Sequence, residues 1–199
     1  THYIASVDNL QDMAGRLDAG KIAEQLEEAG AGWFLFTVQH QPWTMMAPNA
    51  AYDRIIGCSD YTSERDVPGD LSRALKPKGI RLMLYVNLRL DPASACPAFV
   101  RDSMGGWPPN DRLAENLARV YRELSLRYGK DVSGWWVDGP HHPDWRDAKQ
   151  REAWFGTIAA ALRAGNPDAI VAFNFSLIER VGMHSFSAQD DYTAGETDT

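Results

Sequence analysis

In this 199-residue chain the residues best suited to chemistry each stand just after a short apolar run. Asp138 closes the run Gly134-Trp135-Trp136-Val137-Asp138-Gly139. Its carboxylate emerges from apolar surroundings, and Gly139 lets the backbone turn without a side chain blocking access. A second acid, Glu196, ends the segment Asp190-Asp191-Tyr192-Thr193-Ala194-Gly195-Glu196. Two carboxylates at one mouth are what cleavage of a glycosidic bond requires: one attacks or stabilises the anomeric carbon, and the other protonates the leaving oxygen. Position alone leaves alternatives open. Asp-Gly-Pro is also good turn chemistry, Glu196 also reads as an exposed acidic tail, and Asp190, Asp191 and Asp198 are rivals by composition.

Other polar residues follow other apolar runs. His40, Asn87 and Asn174 join Asp138 as strand-end candidates for one pocket, with Gln41 and Tyr85 beside them as donors or acceptors for sugar hydroxyls. Trp43 and Trp136 are candidates to stack on the apolar C–H face of a sugar. Trp135 and Trp136 alternate along one run, so one of the two belongs to the core. A rival chemistry sits in Asp138-Gly139-Pro140-His141-His142-Pro143-Asp144, which has the residue types of a divalent-metal site. Adjacent His side chains diverge on most backbones, so the expectation is no metal and no cofactor.

The elements that would position these residues repeat. Lys21 to Ala29 is an amphipathic helix with Ile22, Leu26 and Ala29 on one face, stopped by Gly30 and followed by the strand Trp33 to Val38. Gly69 to Lys76 then leads to the strand Ile80 to Val86, Asp111 to Arg127 to the strand Val132 to Val137, and Lys149 to Ala164 to the strand Ala169 to Phe173. Short apolar strands alternating with helices predict an α/β fold with a parallel sheet covered on its faces. No Gly-rich phosphate loop follows any strand, which argues against a nucleotide-binding open sheet and for a (β/α) barrel of the TIM type. A complete barrel takes about 250 residues. The expectation is therefore one catalytic domain over residues 1–199, with the C-terminal part of the barrel missing; the other possibility is further strands in the first 20 residues and after Ile178.

Composition sets outer bounds. The chain is 44% hydrophobic and 24% charged, with a net charge of −7, an ordinary balance for one globular domain. An excess of acid argues against nucleic-acid or anionic-membrane partners and favours neutral or cationic substrates. No apolar run approaches the roughly 20 residues that span a bilayer. The first residue is Thr1, so removal of a leader from a secreted or periplasmic protein is compatible with the sequence. Cys58 and Cys96 are too few for a disulfide framework, and nothing sets an oligomeric state.

Taken in order, Phe36-Thr37-Val38-Gln39-His40-Gln41-Pro42-Trp43, Tyr61 to Leu71, Gly79 to Tyr85 and Gly134-Trp135-Trp136-Val137-Asp138-Gly139 resemble the α-L-fucosidase family of retaining glycoside hydrolases. The similarity spans about residues 20 to 199, and the order and spacing of four blocks carry it. It implies that Asp138 is the nucleophile and that Glu196, in a block similar to the family's Tyr-Thr-Pro-Glu, is the proton donor. The family's sugar-binding block Lys-His-His-Asp-Gly-Phe appears as Gln39-His40-Gln41-Pro42-Trp43-Thr44: one His is kept and Gln41 replaces the other. The expected partner is an oligosaccharide or glycoconjugate. The rival functions are a non-catalytic carbohydrate-binding barrel and a metal-dependent hydrolase using His141 and His142.

Overall fold

A computed structural model describes residues 6–139, 147–174 and 185–194. Two helices, α1 (Leu10–Arg16) and α2 (Ala19–Glu28), lead to strand β1 (Trp33–Thr37). A small hairpin, β2 (Gln39–His40) with β3 (Thr44–Met45), precedes α3 (Ala50–Ile56) and α4 (Val67–Leu75). Then come β4 (Arg81–Asn87), α5 (Ala98–Met104), α6 (Asp111–Tyr128), β5 (Val132–Asp138), α7 (Ala148–Leu162) and β6 (Ile170–Phe173). All four main strands run parallel in the order β1-β4-β5-β6. The α/β class and the parallel sheet thus follow the sequence pattern, and each expected helix and strand lies within two residues of its expected bounds.

Local chemistry explains where helices begin. Asp18, Asn49, Asp66, Asn110 and Asp147 each precede a helix, and their side-chain oxygens accept from first-turn amides, groups that otherwise have no partner. Alternation along the strands then sorts side chains to two faces. Leu82, Leu84, Val86, Trp135, Val137, Val171 and Phe173 are buried together in the core. The ring of Phe155, on α7, lies 4.6 Å from that of Phe173. Opposite them, Tyr85 is in register with Trp136, and Asn87 with Asp138. One face is therefore core, and the other carries the polar strand ends.

Among the described residues of the first 20 no strand is found: a 3-10 turn at Val7–Asn9 precedes α1, and α2 begins at Ala19. Residues 185–194 contain no strand either. They lie along the outer edge of β6, where the Val171 amide donates to Asp191 Oδ2 and the Phe173 amide to Asp190 Oδ1, both at 2.8 Å. The Asp191 amide donates back to the Val171 carbonyl at 2.8 Å. Two carboxylates and one amide thus take the place of a neighbouring strand. The described sheet runs from β1 to β6 without pairing its two ends. No described helix is long and apolar enough to cross a membrane.

Candidate active site

At the C-terminal ends of the parallel strands, side chains from three neighbouring strands converge on one carboxylate. Asp138 ends β5; Tyr85 and Asn87 come from β4 on one side, and Asn174 follows β6 on the other. The Tyr85 hydroxyl donates to Asp138 Oδ2, and Asn87 Nδ2 reaches the same oxygen at 3.5 Å and the Tyr85 hydroxyl at 3.3 Å. Asn174 Nδ2 donates to Asp138 Oδ1 at 2.9 Å. Hydrogen bonds to an ionised carboxylate are the stronger kind, and donors on both oxygens fix its orientation. Tyr85, Asn87 and Asn174 are buried while Asp138 is half-buried, so the carboxylate is the part of this cluster that meets solvent.

The backbone holds the donors in turn. The Asn87 amide donates to Gln39 Oε1 at 2.7 Å, and its carbonyl accepts from the Tyr121 hydroxyl of α6 at 2.9 Å. The Asn174 amide donates to the Val137 carbonyl at 2.7 Å, continuing the β5–β6 ladder one step past β6. Gly139 has a φ of 74°. A Cβ there would lie 2.7 Å from Arg89 Cβ and 3.1 Å from Asn87 Oδ1, so glycine is required both for the left-handed turn and for space.

His40, in the hairpin, places its ring 5.6 Å from that of Tyr85, tilted by 31°, which brings it to the same corner. Trp136 is half-buried on the Asp138 side of the sheet, 6.3 Å from the ring of Tyr192. Gln41 and Trp43 are turned elsewhere. Gln41 Nε2 and Trp43 Nε1 both donate to the Arg89 carbonyl, at 2.7 and 2.8 Å, and Trp43 is 1% exposed, so its ring packs into the core near Tyr52. Trp43 has a φ of 74°, rare for a bulky residue. Its amide donates to the His40 carbonyl at 2.7 Å and its own carbonyl accepts from the Tyr52 hydroxyl at 2.8 Å, and these bonds hold the turn.

Asp190 and Asp191 are occupied at the β6 edge. Burial raises the Asp190 carboxyl above its usual range, against the lowering effect of the Ser187, Phe173 and Phe186 amides. For Asp191 burial also pushes upward, but hydrogen bonds from Arg163 and the Val171 amide and the Arg163 charge hold it below that range. Burial pushes the Cys96 thiol up to about 12, which leaves almost no thiolate near neutral pH. Glu196, His141, His142, Asp144 and Asp198 lie outside the described residues. Among the described residues no three His, Cys, Asp or Glu side chains are grouped to hold a metal ion.

Reading by sequence assigned no role to Gln39, Arg89 or Tyr121. Gln39 and Arg89 carry the same signal as His40 and Asn87, a polar group just beyond a strand. Tyr121 carries none, because it lies in the buried stripe of α6 and only its hydroxyl reaches Asn87.

No protein-family model matches this sequence, and no curated protein matches it. Solved structures do. A GH29 α-L-fucosidase from Bacteroides thetaiotaomicron superposes with a TM-score of 0.60 at 21% identity, over 84% of this chain and 36% of its own. The endo-fucoidan hydrolase MfFcnA4 of glycoside hydrolase family 107 gives 0.65 at 18% identity, over 86% of this chain and 32% of its own. The α-L-fucosidase AlfC gives 0.57 at 20% identity, over 80% and 50% respectively. The likeness is one of fold. This chain spans from about a third to a half of the length of these proteins.

Proposed function

We propose that this chain carries both catalytic carboxylates, Asp138 and Glu196, of a glycoside hydrolase acting on an α-L-fucoside or a closely related sugar, within a (β/α) barrel to which the four-stranded sheet belongs. The observation that carries the reading is the Asp138 carboxylate, at a strand's C-terminal end, held on both oxygens by Tyr85, Asn87 and Asn174. The fold shared with fucosidases and a fucoidan hydrolase supports it. In this reading Asp138 attacks the anomeric carbon while Glu196 gives its proton to the departing oxygen, and water then releases the sugar with retained configuration. Retention calls for carboxyl groups roughly 5–5.5 Å apart. His40 contributes to reading hydroxyls. Gln41, standing where the fucosidase block has its second His, donates to the Arg89 carbonyl instead of reaching the sugar.

The test is a panel of aryl glycosides, aryl α-L-fucoside included, with the parent and Asp138→Gly. The expected result is hydrolysis by the parent, loss of roughly a thousandfold or more in the variant, and restoration by azide with formation of a glycosyl azide. A variant as active as the parent would remove Asp138 from the mechanism.

A further inference from the structure

Arg89 stands beside the candidate nucleophile and is held more completely than a surface arginine needs to be. It is the second residue after β4, and the Leu88 amide before it donates to the Asp138 carbonyl at 2.8 Å. Its own amide donates to Asn87 Oδ1 at 2.7 Å, while its carbonyl accepts from both Gln41 and Trp43. Its Cβ and amide nitrogen, at 2.7 and 2.9 Å, crowd the place a Cβ would take at Gly139. The side chain is fixed as well, because Nε donates to Asp91 Oδ2 at 2.5 Å. Asp91 is steadied by the Ala93 amide on its other oxygen at 2.8 Å. The guanidinium's two Nη nitrogens make no hydrogen bond among the described residues, and the side chain is 42% exposed.

A long, entropic side chain gains little from a single exposed ion pair. Fixing its backbone on both sides and its Nε beside Asp138 and Gly139 leaves the fork of Nη donors pre-organised next to the candidate nucleophile. With Asp91 balancing the charge and Asp138 next to it, the fork suits neutral oxygen acceptors better than a further anion. The sugar that is attacked must lie against Asp138, and a half-exposed residue beside it meets the part of the substrate nearer solvent, on the leaving side.

We propose that Arg89 is a specificity-determining residue that binds two hydroxyl oxygens of the sugar on the leaving-group side. This inference rests on the glycosidase reading above and deepens it. It also assigns Gln41 and Trp43 a part in recognition that is exerted through Arg89 and without contact to the sugar.

The test compares an aryl α-L-fucoside, whose leaving group has no hydroxyl pair, with α-L-fucosyl disaccharides, using the parent, Arg89→Met and Arg89→Lys. In Arg89→Met the ratio of kcat/KM on disaccharide to kcat/KM on aryl glycoside should fall about tenfold, the value of a hydrogen bond to a charged group. Most of that fall should appear in KM. Arg89→Lys should recover only part of it, because an ammonium cannot reproduce the planar fork. An unchanged ratio overturns the inference and leaves the glycosidase reading intact. If the parent cleaves neither substrate, the glycosidase reading fails, and disaccharide binding by calorimetry decides the inference: about tenfold weaker binding to Arg89→Met supports it, and equal binding overturns it.

Discussion

The nucleophile role proposed for Asp138 calls for a carboxylate that is oriented without being buried, and its neighbours meet both demands. Its donors come from the strands on either side, so the sheet's own register sets their spacing: Asn87 is opposite Asp138, and Asn174 follows one step beyond β6. Tyr85 is the most exacting of the three, because its hydroxyl both donates to the carboxylate and accepts from Asn87. Tyr85→Phe should keep the fold and lower kcat/KM on the best aryl glycoside by roughly 10- to 100-fold, the range for one hydrogen bond to a charged group. Thermal unfolding measured on the same sample separates that loss from general destabilisation.

At the scale of elements, the hairpin that carries His40 is braced from behind by α3. Asn49 caps α3 by accepting from the Tyr52 amide at 2.9 Å, and its Nδ2 donates to the Val120 carbonyl of α6 at 2.9 Å. The Ala50 and Ala51 amides donate to Glu123, also on α6. Tyr52 then holds the Trp43 carbonyl, so a chain of bonds runs from α6 through α3 to the strained turn beside His40. Asn49 is fully buried. Asn49→Ala should therefore lower unfolding stability by about 2 kcal/mol, combining a lost cap with a lost buried hydrogen bond. Asn49→Ser keeps the cap and should lose about half as much, as read from urea midpoints at constant slope. None of this bracing is legible in the sequence. A seven-residue helix and a pair of two-residue strands are too short for periodicity to reveal, whereas the fifteen- and eighteen-residue helices announce themselves.

Across the whole molecule, the outer edge of the sheet at β6 depends on carboxylates. Unpaired edge amides invite association with other strands, and here Asp190 and Asp191 satisfy two of them while Arg163 ties Asp191 and the Gln189 carbonyl to the end of α7. Asp191 titrates below its ordinary value of 3.8 in the folded chain, so over that interval the folded state binds fewer protons than the unfolded one. The stability it contributes is present above the ordinary value and is lost as pH falls through the lower, folded value. Asp190 is shifted upward and acts in the opposite sense, which makes a single-site comparison necessary. The parent should be more stable than Asp191→Asn at pH 6, and the gap between their urea midpoints should narrow as pH is lowered towards 3. A gap that stays constant would show that the Asp191 charge adds nothing to the edge.

By itself the sequence determined the repeating helix-and-strand pattern, the α/β class and the polar residues that end each strand. These follow from the 3.6- and 2-residue periods, the capping residues and the glycine stops, all of which are local. It also singled out Asp138, since an acid after two Trp and a Val is conspicuous in one dimension. Only the tertiary structure decided which candidates meet. Asn87 and Asn174 reach Asp138 because β4 and β6 flank β5, an order that depends on which strands pair. Gln41 and Trp43 lie one and three positions after His40, yet the turn sends their side chains to the Arg89 carbonyl, because the left-handed backbone at Trp43 and the Tyr52 hydroxyl hold it that way. A hydrogen bond between residues 46 or 48 positions apart leaves no trace in local sequence.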